Sequence, residues 1–239
     1  MKRHEIQWAL PPEIEARLGE GAFGRQRAIY AGGHLLLILN APPEPGSVER
    51  ETQLFLRRPD GVVLANGQEG GEQKLHDLLA AYRARWEECD AKYDSADSAD
   101  DLFHLIGRLA PLNRASTNLA NALQAARDLV GDDKFFISVR DEAYEISRAY
   151  ELLLADAKLN LDYRIAKNAE AGAAKSEEMA AAQHKLNVLA AITFPIMAMA
   201  TVLGMNLTNG LEDKSPLVFV VVLVVGLVIG RLVRRWVAL

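Results

Sequence analysis

Leu186 to Asn206 reads LNVLAAITFPIMAMATVLGMN, and this stretch decides how the rest of the chain is read. Its first 18 residues, Leu186 to Leu203, carry no charge. At about 1.5 Å per residue a helix of that length covers most of the hydrocarbon layer of a bilayer, and flanking residues contribute the rest. A polar segment, Leu207 to Ser215, follows, and then a second apolar run, Pro216 to Gly230, rich in valine. Those 15 residues cover only about 22 Å. The second span therefore needs residues beyond Arg231, with that arginine snorkelling to the interface. Lys185 precedes the first run, and Arg231, Arg234 and Arg235 follow the second. Basic flanks stay on the cytoplasmic side. The expectation is a multi-pass inner-membrane protein with two spans and both termini in the cytoplasm. The connecting loop then faces outward with Glu212 and Asp213, which attract cations.

Composition separates this tail from what precedes it. The chain has 239 residues, half of them hydrophobic and a quarter charged, with a net charge of −5. From Leu186 on there are four basic and two acidic residues; the 185 residues before it hold 23 basic and 30 acidic ones. So charged a sequence is not wholly membrane-buried, and so apolar a one is not disordered. The acidic balance speaks against nucleic acid as a partner. A single cysteine, Cys89, excludes an intramolecular disulfide and suits a reducing compartment. The first twelve residues hold no apolar run of signal-peptide length. The large acidic part is expected in the cytoplasm.

The first hundred residues read as α/β. Ile14 to Leu18 fits one or two helical turns. Leu35 to Leu39 is an apolar run closed by Asn40-Ala41-Pro42-Pro43, the pattern of a buried strand. Glu51 to Arg57 and Val62 to Ala65, joined by Pro59-Asp60-Gly61, form a hairpin. From Glu72 the spacing turns helical, with Leu75, Leu78, Leu79, Tyr82 and Trp86 on one face. A second helix, Leu102 to Leu129, is expected to break at Pro111. Gly131-Asp132-Asp133 then caps a very long helix, free of proline until Pro195 and interrupted only by Gly172. About 70 residues would reach roughly 105 Å. No globular core buries such a helix, so an oligomer is expected, with alanines permitting close packing.

Several motifs carry less than they suggest. Gly19-Glu20-Gly21-Ala22-Phe23-Gly24 fits G-x-G-x-x-G, but no strand precedes it. Tyr30 stands where a kinase phosphate loop would lead to lysine, and no H-R-D or D-F-G follows. It reads as a surface loop. The five histidines, His4, His34, His76, His104 and His184, pair neither with each other nor with Cys89 at ligand spacing. No catalytic constellation emerges, and an enzyme is not expected. The acids between Glu87 and Asp101 read first as a solvated face and second as weak ligands for hard divalent cations.

Gly204-Met205-Asn206 ends the first span at its outer face, after a very long helix and before a short loop and a basic tail. With Leu186-Asn187-Val188-Leu189, Phe194-Pro195 and the ending Arg234-Arg235-Trp236, these features resemble the CorA family of divalent-cation channels, the two-span family named for its G-M-N signature. The resemblance covers about Leu186 to Trp236. The aqueous part is short for that family. The outer loop offers Glu212 and Asp213 where the family often has aromatic and Pro-Glu residues.

The resemblance implies a homopentameric funnel whose first span lines a central pore. The divisions are then 1–132, a cytoplasmic α/β and helical domain; 133–185, a stalk helix; 186–206, the first transmembrane helix; 207–215, the outer loop; and 216–239, the second transmembrane helix with its basic tail. Gly204, Met205 and Asn206 would form the selectivity filter. Magnesium keeps its waters, and a neutral ring of Asn206 carboxamides can hydrogen-bond them without trapping the ion. Thr201, Met197, Phe194 and Leu186 would line the pore, their apolar rings suiting a gate that closes by dewetting. Asp141, Glu145, Glu88, Asp90 and Asp94 are candidate regulatory metal ligands, bridging subunits when internal magnesium is high and repelling one another when it is low. Transport would be passive and needs no cofactor beyond the ion. Zinc, cobalt or nickel as the carried ion, or a non-conducting membrane-anchored scaffold, are the alternative readings.

Overall fold

The computed structural model describes residues 6, 8–18, 25–44, 51–204 and 217–237; of residues 199, 200, 202–204, 217–219, 222, 233, 234, 236 and 237 it describes the backbone alone. The elements in order are α1 (Pro12–Glu15), β1 (Arg27–Ala31), β2 (His34–Asn40), β3 (Thr52–Arg57), β4 (Val63–Ala65), α2 (Gly71–Asp94), α3 (Ala99–Val130), α4 (Lys134–Gly204) and α5 (Leu217–Val237). They fall into two compact units, Met1–Ile165 and Ala166–Leu239.

In the first unit the four strands form one antiparallel meander, β1-β2-β3-β4. β2 is buried on both faces, which explains why its sequence is apolar without alternation. Side chains alternate across a strand, so Leu35, Leu37 and Leu39 join Phe55, Val63 and Ala65 in a core shared with the helices. Leu36 and Ile38 join Leu54 and Leu56 on the other face, where Ile14 and Leu18 cover them. Gly32 and Gly33, with φ of 55° and 77°, make the tight β1–β2 turn. Two left-handed positions in succession match the right-handed twist of a hairpin.

The helical face holds α2, α3 and the first part of α4. Leu75, Leu78, Leu79 and Tyr82 turn inward, as their spacing predicts, with Trp86 packed beside them. A buried polar chain threads this layer. The Gln26 side chain donates to the Ala115 carbonyl at 2.8 Å and accepts from the Asn40 amide at 3.2 Å. The Tyr82 hydroxyl donates to the Asn40 carbonyl at 3.0 Å, and the Tyr150 hydroxyl to the Tyr82 carbonyl at 2.7 Å. Burial pushes the Tyr150 hydroxyl well above its ordinary range.

α3 begins with a capping box. The Ser98 hydroxyl accepts from the Asp101 amide, and the Asp101 carboxylate accepts from the Ser98 amide at 2.9 Å. The expected break at Pro111 does not occur: α3 runs continuously from Ala99 to Val130. Proline removes the hydrogen bond to the carbonyl four residues back. That residue is Gly107, an exposed position whose carbonyl water can serve. Leu105 and Leu109 before the proline and Leu112 and Leu119 after it are buried in one core, so packing holds both halves in line.

Asp133 starts α4. One carboxylate oxygen accepts from the amides of Phe135 (3.0 Å) and Phe136 (3.4 Å), while the other pairs with Arg57 of β3 at 2.8 Å. Gly172 and Pro195 both lie within the 71-residue helix without ending it.

The second unit consists of the later part of α4 and α5. Every residue of α4 from Ile165 to Asn187 is exposed in a single copy. Contact between the two helices is marked at Ile192 and Gly230: a Cβ on Gly230 would stand 3.3 Å from the Ile192 Cα. Ile192 lies 12 residues before the end of α4, and Gly230 lies 13 after the start of α5. The contact thus lies about equally far from the two helix ends that residues 205–216 join. Among the described residues no helix is long and apolar enough to cross a membrane.

Candidate functional site

The part of α4 that carries the expected pore residues lies in the second unit. A helix turns 100° per residue. With Ile192 as the reference, Leu186, Phe194, Met197 and Thr201 fall within roughly 80° of one another, on the side opposite Ile192. Ile192 faces α5, so these four face away from it. They are exposed in the single chain: Leu186 by 60%, Phe194 by 67% and Met197 by 62%, with Thr201 exposed as well. The Thr201 hydroxyl donates to the Met197 carbonyl at 2.8 Å, four residues back on its own helix. The Thr193 hydroxyl does the same to the Leu189 carbonyl at 3.0 Å. Both hydroxyls thus bond to a carbonyl of their own helix. Gly204 is the last residue of α4. Met205, Asn206, Glu212 and Asp213 lie outside the described residues, as does the Gly19–Gly24 loop.

The acidic candidates lie in the first unit and are dispersed. Asp141 pairs with Arg140 at 2.9 Å. Glu88 pairs with Arg85 at 3.1 Å, and the same guanidinium also holds Glu44. Asp90 and Asp94 sit in the last turns of α2, Asp94 exposed and Asp90 half-buried. Glu145 of α4 lines a cleft of about 200 Å³ with Glu87, Arg83, Trp86, Ile146 and Ala149. Among the described residues no three His, Cys, Asp or Glu side chains gather as metal ligands within one copy. The acidic run from Glu87 to Asp101 is split by the α2–α3 turn. Asp100 and Asp101 stand in the first turn of α3, where negative charge suits the helix dipole. Hydrogen bonds from the Ser98 side chain and amide hold the Asp101 carboxyl below its usual range.

Three features escape a reading of spacing alone because each joins distant parts of the chain. Glu87 and Glu145 line one cleft from α2 and α4. A wider cleft of about 790 Å³ opens between the sheet and α2, with Glu51, Lys74 and Asp77 among its walls. The Arg164 guanidinium reaches from α4 to the α2–α3 turn, donating to the carbonyls of Ala96 (2.8 Å) and Asp97 and to the Asn160 side chain at 3.2 Å. Cys89, the only thiol, is buried beneath this layer, and burial raises its pKa.

No family model matches the chain, and no curated protein matches it. Solved structures do resemble it. The full-length CmaX protein is 15% identical, over 95% of this chain and 83% of that one, with a TM-score of 0.50. The ZntB cytoplasmic domain from Vibrio parahaemolyticus RIMD 2210633 is 12% identical, over 67% of this chain and 80% of that one, with a TM-score of 0.53. The CorA magnesium transporter from Methanocaldococcus jannaschii aligns over 87% of this chain and 77% of that one at 13% identity, but its TM-score of 0.42 is too low to carry an argument. At these identities the CmaX and ZntB structures establish a shared fold: a small sheet, a helical layer and a long helix.

Proposed function

We propose that this chain is one subunit of an oligomeric two-span channel that passes hydrated divalent cations, magnesium first among them, and that it is not an enzyme. One observation carries the reading. The four side chains that the resemblance assigns to a pore share one exposed face of α4, turned away from the only helix that packs there among the described residues. A ring of subunits would bring that face to its axis. Asn206, two residues beyond α4, would then stand once per subunit at the outer mouth. The exposed, alanine-rich stretch from Ile165 to Asn187 supplies a surface for neighbouring copies. The fold shared with the CmaX and ZntB structures supports the reading.

Leu186, Phe194 and Met197 would form apolar constrictions that close by dewetting. Glu145 and Asp141, on the first unit's part of α4, are offered as ligands between subunits rather than within one. Metal bound there stabilises one state of the ring over the other.

The test is magnesium entry into liposomes containing the purified chain, compared with Asn206→Ala. Entry lost in the variant, at unchanged oligomer size, supports the channel. No entry of magnesium, zinc, cobalt or nickel in wild type, with internal metal chelated, overturns it and leaves the scaffold. Competition among these ions identifies the carried one. Neutralising Asp141 and Glu145 is expected to abolish suppression of entry by internal metal.

A further inference from the structure

Two successive spans run antiparallel, and with the pair aligned on the Ile192–Gly230 contact this has a consequence for its inner end. Counting from that contact, Arg231 lies level with Ala191 and Arg235 with Asn187. Arg231 is therefore five residues, roughly 8 Å, inside the level of Leu186, where the apolar run of α4 begins. The two helices become apolar at different depths, and the deeper edge carries a guanidinium.

Arg231 and Arg235 are four apart and share a face of α5. Continuing toward the helix start, that face carries Val228 and Val224. Both valines are 52% exposed, and both arginines are exposed. The face lies roughly 100–160° from Gly230, so α4 does not cover it. One exposed strip of helix thus reads apolar, apolar, basic, basic. Lys185 adds a further exposed cation at the same end, and no acid occurs between Met179 and Leu211 or between Ser215 and Leu239.

We infer that this strip binds an anionic phospholipid. Its acyl chains lie along Val224 and Val228, and its phosphate is held by Arg231 and Arg235. The inference rests on the membrane-spanning reading of α4 and α5. The occupant follows from the pattern: a soluble anion would need the arginines but not the valines, and a neutral lipid the valines but not the arginines. Guanidinium groups pair with phosphate oxygens in a bidentate fork. The shallow placement of Arg231 draws the headgroup inward, which relieves the short apolar length of α5 by local thinning of the bilayer.

The test uses the full chain in nanodiscs of equal parts phosphatidylglycerol and phosphatidylcholine, with retained lipids counted by native mass spectrometry. Wild type is expected to retain phosphatidylglycerol preferentially. The preference should fall about fivefold for each arginine removed, in Arg231→Gln and Arg235→Gln. The double Arg→Lys variant, which keeps the charges but not the bidentate fork, should restore only part of it. Retention of the two lipids in bilayer proportion, or preference surviving the double glutamine variant, overturns the inference. So does displacement of the lipid by inorganic phosphate at equal concentration. Alkaline carbonate extraction separates the two levels of failure. A chain released from membranes by carbonate defeats the spanning reading and this one with it. A chain that stays in the membrane without lipid preference defeats this one alone.

Discussion

Gly230 of α5 lies so close to Ile192 of α4 that a Cβ would stand 3.3 Å from the Ile192 Cα and 3.4 Å from its carbonyl oxygen. Gly226, one turn earlier, is buried as well. Small residues at such spacing let two helix backbones approach closely and pack. Gly230→Leu is expected to separate the pair, costing about 1–3 kcal/mol. The check is thermal unfolding of the purified chain in detergent. Gly230→Ala should cost less, because the neighbour needs to yield only a few tenths of an ångström. An unchanged unfolding temperature for Gly230→Leu would show that the helices do not depend on this contact.

The Arg164 clamp predicts a local effect rather than a global one. Its guanidinium caps carbonyls at the α2–α3 turn, where positive charge also suits the end of α2. Arg164→Ala should cost about 1–3 kcal/mol through the unsatisfied acceptors. Amide hydrogen exchange should accelerate from Ser95 to Leu102 before it does in the sheet. Arg164→Lys should recover only part of the protection, because an ammonium cannot fork between two carbonyls. Equal acceleration throughout the first unit would contradict a local clamp.

Acid should loosen the start of α3. The Asp101 carboxyl titrates lower in the folded chain than in the unfolded one, because the Ser98 hydroxyl and amide donate to it at 2.6 Å and 2.9 Å. The unfolded state therefore binds the proton first as pH falls. The stabilisation is whole above about pH 4 and is lost as pH drops through the folded-state value. Circular dichroism melts across this range should show a shallower acid decline for Ser98→Ala and Asp101→Asn than for wild type. Parallel declines in all three would exclude Asp101 as a contributor.

Cys89 should be chemically silent in the folded chain. It is 5% exposed, and burial raises its thiol pKa, so little thiolate exists at pH 8. Alkylation by iodoacetamide is expected to be at least ~10-fold slower than in denaturant. Labelling at the denatured rate would mean that the α2–α3–α4 layer opens readily.

The sequence makes some of this architecture plain and hides the rest for physical reasons. β2, the β3–β4 hairpin and the face of α2 are readable because burial leaves a period in the residues that bear it, as Leu75, Leu78, Leu79 and Tyr82 do. The continuity of α3 through Pro111 is not, because the local rule for proline is overruled by core packing on both sides of it. The pore-facing assignment of Leu186, Phe194, Met197 and Thr201 came from a resemblance, and only the position of Gly230 indicates which way that face turns. Arg164 and the Glu87–Glu145 cleft left no local signal at all, since the partners of each are dozens of residues apart along the chain.

β2 has a bearing on how the chain is made. Leu35 to Leu39 need α1 on one face and the α2–α3–α4 layer on the other. Tyr150, which closes that layer, is translated about 110 residues later. At ribosomal rates of about 5–20 residues per second, one face of the strand waits roughly 5–20 s for its cover. For that interval the most apolar strand of the nascent chain is exposed to other chains and to chaperones. Substitutions that slow the docking of α4, such as one at Tyr150, should therefore reduce yield in the cell by more than their effect on the stability of the finished protein would suggest.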